Sequence, residues 1–209
     1  MLWASALSVL SIATIVMWLL PKSHSQAPKT ALAVPVSEDE HSHGNPDAKV
    51  TVVIYSDLQC SACAAFNELS QRIETDYQDR VRFVHRHFAL PQHKNAVVAA
   101  VAAEAADKQG KFFEMRDAIF RTQKDWSNRT PHQVELYIAA LASNLGLDSN
   151  QFLKDLQDRR LLQRVTQDLE SGKESNIQSA PSFFINGKSV SPTSETEFRR
   201  MIDAVLDKQ

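Results

Sequence analysis

The sequence predicts an α/β fold: a β–α–β unit, a long helical block and a closing β–β–α unit, preceded by an N-terminal transmembrane helix and a linker. Three observations carry this reading. Val50-Thr-Val-Val-Ile-Tyr55 is a β-branched, nearly unbroken apolar run of the kind found in a strand covered on both faces. Between Phe88 and Ser182 lie 93 residues in which apolar positions recur at helical spacing. Strand character then returns at Ser182-Phe-Phe-Ile185, followed at once by Asn186-Gly187, a strong hairpin signal.

The elements follow in order. Leu2 to Leu20 is a run of 19 residues without a charge. As a helix it would extend roughly 28 Å, about the hydrocarbon thickness of a bilayer. Trp3 and Trp18 stand near its ends, where amphipathic rings favour the interface. Residues 1–20 therefore read as an uncleaved signal-anchor. Residues 21–44, with Pro21, Pro28, Pro35 and the acidic Glu38-Asp39-Glu40, read as a linker. Residues 45–209 read as the folded domain, with a helical insertion over about 92–176.

Within that domain, Val50–Tyr55 is followed by a helix from about Ser61 to Tyr77 and by a second strand at Val81–Phe88. The two strands are expected to be parallel, joined by a right-handed crossover. Asn95 to Gln109 reads as a helix ending at Gly110, and Phe112, Met115, Ile119 and Phe120 mark the next one. Thr130-Pro-His-Gln133 has the form of a capping box, and Asp148-Ser-Asn-Gln151 repeats the start signal. Leu161, Leu162, Val165 and Leu169 continue a helix to Gly172, where a stop is expected. After the hairpin, Ser194-x-x-Glu197 opens a last helix with the stripe Phe198, Met201, Ile202, Val205 and Leu206.

Composition narrows the function classes. Lys+Arg number 23 against 25 Asp+Glu, a net charge of −2, so no basic excess points to a nucleic-acid partner. Cys60 and Cys63 are the only two cysteines, which excludes both a disulfide-stapled scaffold and a four-cysteine zinc site within the chain.

That pair is where chemistry is expected. Cys60-Ser61-Ala62-Cys63 follows a buried strand and opens a helix. The spacing lets the two sulfurs reach bonding distance. It also puts Cys60 where unpaired backbone N–H groups and the helix dipole stabilise a thiolate. A thiolate attacks disulfides and leaves them readily, so Cys60 and Cys63 are the candidate catalytic residues of thiol–disulfide exchange. Cys60 should be the reactive thiol and Cys63 the shielded one. A copper site built from the cysteines and a histidine is the competing reading. The histidine pairs His41/His43 and His85/His87 read instead as solvated linker and partly exposed strand surface. Asp57, three residues before Cys60, reads as support for the loop, with a proton acceptor as the alternative.

From about Gly44 to Leu206 the chain resembles the DsbA-like thioredoxin family. The matching pieces are Gly44-Asn-Pro-Asp-Ala48, Tyr55-Ser-Asp-Leu-Gln-Cys60, Arg86-His-Phe-Ala-Leu90, Gly110-Lys-Phe-Phe-Glu-Met115 and Ala180-Pro-Ser-Phe-Phe-Ile-Asn-Gly187. The resemblance implies a thioredoxin fold with a large helical insertion. It also implies a cis Pro181 beside the cysteines, with the Ala180 backbone offered to an extended substrate, so Ala180 and Pro181 are the candidate substrate-binding residues. Relatives often carry Thr or Val before this proline and an imidazole between the cysteines. This chain has Ala180 and Ser61-Ala62.

The function expected is a disulfide-forming oxidase acting on cysteine thiols of exported proteins, with a reductase or isomerase, or a copper-delivery protein, as alternatives. No metal or organic cofactor is required. A membrane quinone-linked oxidase is the partner that the resemblance implies for regenerating the disulfide. Lys22 and Lys29 would by themselves place the body of the protein in the cytoplasm. The redox chemistry places it on the periplasmic or extracytoplasmic side.

Overall fold

The computed structural model describes residues 31–209. The strands are β1 (His41–Gly44), β2 (Val50–Ser56), β3 (Val81–His87), β4 (Ser182–Ile185) and β5 (Lys188–Val190). They form one sheet in the order β1-β3-β2-β4-β5. β2 and β3 run parallel, as the crossover predicts, and every other neighbouring pair is antiparallel. The helices are α1 (Ser61–Tyr77), α2 (Ala96–Asp107), α3 (Phe112–Arg121), α4 (Gln123–Trp126), α5 (Pro131–Asn144), α6 (Ser149–Asp155), α7 (Arg159–Glu174) and α8 (Glu195–Leu206).

Strand periodicity divides the core between the two faces of the sheet. Val52, Ile54 and Phe83 pack with Ile73 of α1 and with Phe198 and Ile202 of α8. Val53, Tyr55, Val84 and Phe184 pack on the other face with the helical block, whose buried side chains include Ala103, Met115, Ile119, Trp126, Ile138 and Phe152. Cys60 and Cys63 belong to this second core.

Local start and turn signals form as read. Thr130 and Gln133 make a reciprocal capping box, and Asp148 accepts from the Gln151 N–H. Asn186 and Gly187 both adopt positive φ, 46° and 75°, in the turn between β4 and β5. Gly172 does not stop its helix; α7 runs on through it to Glu174. The glycine is needed for space, because a Cβ there would lie 2.5 Å from the Phe88 ring.

The linker reading does not hold for residues 31–44. The Leu32 N–H donates to the Gly187 carbonyl, the Ala33 N–H to Ser175 Oγ, and His41–Gly44 adds β1 to the edge of the sheet. Arg86, buried in β3, explains why so polar a segment docks. Its guanidinium donates to Glu40 Oε1, to the Val34 and Pro35 carbonyls and to Tyr55 Oη, while Arg164 reaches the other oxygen of Glu40. A buried cation with all its donors satisfied holds the segment where apolar burial would not.

The two histidine pairs follow the same logic: the side chains of His41, His85 and His87 are buried, and of the four only that of His43 stays substantially exposed. His41 and His87 both donate to Glu104 Oε1, at 2.8 and 3.0 Å, and His41 stacks on Phe112 with ring centroids 3.6 Å apart. His85 is buried between Glu74, at 3.2 Å, and Arg116. His43 stacks on Phe113 and keeps partial exposure. Among the described residues no helix is long and apolar enough to cross a membrane; Leu2–Leu20 lies outside them.

Candidate active site

β2 ends at Ser56, and the chain turns through Asp57-Leu58-Gln59 to place Cys60 as the N-cap of α1. Serine, threonine and aspartate favour an N-cap because a side-chain oxygen can accept from the exposed first-turn N–H groups. Here that position holds sulfur. The Cys60 thiol makes no cap hydrogen bond of its own. Hydrogen bonds available from the Cys63 thiol and from the N–H groups of Cys63 and Ala62 outweigh burial and the Asp57 charge, and bring Cys60 down to about 6. At pH 7 such a thiol is about nine-tenths thiolate. Cys63 moves the opposite way, its proton held by the hydrogen bond to Cys60 and by burial. Cys60 retains 9% of its surface and Cys63 only 1%. The pair thus combines one accessible, ionised sulfur with one shielded, protonated sulfur.

Three further contacts set the geometry. The Cys60 thiol lies 3.5 Å from the Ala180 carbonyl, its hydrogen-bond acceptor, so the start of β4 stands directly against the cysteines. The Ala180–Pro181 peptide bond is cis, as the resemblance implied. On the inner side, the Asp57 backbone N–H points to Cys63 Sγ at 3.4 Å. A groove of about 410 Å³ opens beside Ser61 between α1 and α3, bordered by Ala64, Glu68, Asp117, Arg121 and Lys124.

Asp57 is buried loop support. One carboxylate oxygen accepts from the Gln59 N–H at 2.7 Å, and the other accepts from the Leu90 N–H at 2.7 Å and from His93 Nδ1 at 2.8 Å. Residues that the sequence did not single out complete the frame. Gln123 Nε2 donates to the carbonyls of Leu58 and Cys60. Gln59 joins the Asn95 N–H to the Ser127 carbonyl. Asn95, fully buried, ties down the Ser127 and Arg129 carbonyls. Gln59 adjoins Cys60, but the contacts of Gln59 and Gln123 join residues 36 to 68 positions apart, and no local pattern marks them. Among the described residues no group of three or more His, Cys, Asp or Glu side chains is arranged to hold a metal ion.

A Cys-x-x-Cys at the N-terminus of the helix after a central strand, facing a cis-proline that opens the next strand, defines the thioredoxin class. A family model described as Thioredoxin matches residues 36–204. The chain belongs to the thioredoxin family. The fold is similar to that of BdbD from Bacillus subtilis, with a TM-score of 0.73 at 23% identity over 85% of this chain and 98% of that one. It is also similar to alpha-DsbA1 of Wolbachia pipientis, with a TM-score of 0.72 at 20% identity over 85% and 95% of the two chains.

The curated relatives are of another size. A Na(+)/H(+) antiporter NhaA 3 of Salinispora tropica is 39% identical over 162 residues, which is 75% of this chain and 23% of the antiporter. The NhaA antiporter of Herminiimonas arsenicoxydans is 33% identical over 204 residues, 93% of this chain and 31% of that protein. The chain thus spans 23% to 31% of the length of these relatives.

Proposed function

We propose that this protein is a thiol–disulfide oxidoreductase that works chiefly as an oxidase on cysteine thiols of exported proteins. The single observation that carries the reading is the split between the sulfurs: Cys60 held near 6 and Cys63 held protonated behind it. A stabilised thiolate favours the dithiol form, and a pair whose dithiol is favoured is an oxidant.

In this reading Cys60 and Cys63 are the catalytic residues. A substrate thiolate attacks Sγ of Cys60 in the Cys60–Cys63 disulfide, and Cys63 leaves as a thiolate that takes up a proton. A second substrate thiolate then attacks the substrate sulfur of the mixed disulfide, and Cys60 leaves as a thiolate. The substrate loses two electrons and the protein gains them. Ala180 and Pro181 bind the substrate: the Ala180 backbone beside Cys60 is offered to an extended segment, and the groove beside Ser61 receives the residues flanking the reactive cysteine. A membrane quinone-linked oxidase would return the protein to the disulfide. Leu2–Leu20 would anchor the chain with this domain on the periplasmic or extracytoplasmic side.

The test is the redox equilibrium of the purified protein with glutathione. A potential between about −180 and −120 mV supports the oxidase reading. A value near −270 mV would assign the pair to a reductase, and stoichiometric copper retained in place of exchange would assign it to metal delivery. Protease added to intact spheroplasts should digest the domain; protection would overturn the topology.

A further inference from the structure

The Ser61-Ala62 dipeptide leaves the Cys60–Cys63 pair without an imidazole of its own. The fold brings one from elsewhere. His93 lies after β3, in the loop leading to α2, and its side chain is about one quarter exposed. Its Nδ1 is 2.8 Å from Asp57 Oδ2. A carboxylate only accepts, so the ring presents Nδ1–H. Asp57 is fully buried at its side chain and faces the sulfurs in two ways. Its backbone N–H is 3.4 Å from Cys63 Sγ, and its negative charge opposes ionisation of both Cys60 and Cys63. Among the described residues Asp57 is the one acidic partner within ion-pair distance of His93. The other groups on the Asp57 carboxylate are the neutral N–H groups of Gln59 and Leu90.

We propose that His93 is a positioning residue for thiol–disulfide exchange: its Nδ1–H fixes the Asp57 carboxylate, and through it the N–H group that faces Cys63 and the electrostatic setting of both sulfurs. The inference rests on the oxidoreductase reading above and adds a residue to it. Hydrogen bonds to a buried carboxylate spread its charge and hold it in one place. Two of the donors are backbone N–H groups, that of Gln59 in the same loop and that of Leu90 33 positions away. The third comes from a side chain 36 positions away and is the only one that a substitution can remove without altering the main chain. His93 bonds to Asp57 and not to either sulfur, so it acts through Asp57.

The experiment compares the full-length wild type with His93→Ala, His93→Asn and Asp57→Asn, the last also combined with His93→Ala. Two readouts are taken: the pH titration of the Cys60 thiolate by ultraviolet absorbance, and the equilibrium constant with glutathione. His93→Ala should move the titration upward and shift the equilibrium about fivefold toward the protein disulfide, the scale of one charge-assisted hydrogen bond at a partly exposed site. His93→Asn places an amide N–H near the position of Nδ1 and should restore both readouts to within about twofold of wild type. Asp57→Asn removes the charge and should make His93→Ala silent in that background, the mark of action through Asp57.

Wild-type titration and equilibrium in His93→Ala would overturn the inference while leaving the oxidoreductase reading intact. So would a His93→Asn that departs as far as His93→Ala, or an undiminished His93 effect in the Asp57→Asn background. A wild type that does not exchange with glutathione removes the reading and this inference together.

Discussion

Two regions of this molecule concentrate buried ionisable groups, and they are built in opposite ways. At the N-terminus of α1, a thiol is surrounded by N–H donors, a second sulfur and a strand carbonyl, and it ionises easily. Between β1, β3 and helices α1 to α3, four histidines, two glutamates and Arg116 are packed largely against one another. Burial lowers His85 to about 4 there. Burial also opposes ionisation of Glu104, but hydrogen bonds from His41 and His87 hold it below the usual carboxylate range. Both regions carry strongly perturbed groups, and perturbation alone would mark either as a site. The difference lies in what is left over. In the histidine cluster the charges answer one another and the result is the docking of β1. At α1 a nucleophile remains with a groove beside it.

This contrast can be broken by experiment, and the largest effect is expected at the cysteines. Cys60→Ser should lower exchange with a reduced model protein by at least about a thousandfold, the scale seen when a nucleophile is removed, and should leave the denaturant midpoint of the reduced protein nearly unchanged. Residual exchange at a tenth of the wild-type rate would show that Cys63 is not shielded. The mirror experiment is Glu104→Ala, which leaves two buried imidazoles without their acceptor. A loss of about 3–5 kcal/mol in urea unfolding is expected, with the alkylation rate of Cys60 against pH unchanged. A displaced alkylation profile would mean that the two regions are coupled.

A pH scan of stability separates them without mutation. His85 is lower in the folded protein than its ordinary 6.5, so its contribution is full above that value and is lost as pH falls from 6.5 toward 4. Glu74 falls to about 2, where His85, Arg116 and His43 outweigh burial, and its contribution is full above 4.5 and is lost as pH falls from 4.5 toward 2. Both losses should appear in the oxidised and the reduced protein alike. Cys60 titrates only in the reduced protein. Its folded value, about 6 against an ordinary 9, makes its contribution full above pH 9 and lost as pH falls from 9 to 6. The stability of the reduced form relative to the oxidised form should therefore rise by roughly 2–4 kcal/mol between pH 6 and 9. A flat difference across that interval would remove the thiolate from the site. The smallest effect is assigned to a residue in neither region: Thr130→Ala should cost about 1 kcal/mol through its capping box and move no titration.

Much of the fold was legible because its signals are local. The parallel pair β2 and β3, the helix starts at Thr130 and Asp148 and the turn at Asn186-Gly187 each depend on a few consecutive residues. The readings that failed were judgements about polarity. Residues 31–44 have the composition of a linker and dock because Arg86, in a different strand, needs acceptors. Gly172 looks like a stop and is instead the space that the Phe88 ring occupies. His85 and His87 alternate as surface residues would, yet Glu74 and Glu104 wait for them on neighbouring helices.

The candidate site divides along the same line. The strand before Cys60 and the helix formers after it place Cys60 at a helix start and Cys63 in the first turn, and helix geometry then relates the two positions three apart. Which residues approach that turn is a question of long-range contact. Ala180 arrives from 120 positions away, Gln123 from 63 and His93 from 36, counted to the atoms they meet. A hydrogen bond contributes about 1 kcal/mol whether its partners are near or far in sequence, but only packing of the whole chain decides which partners meet.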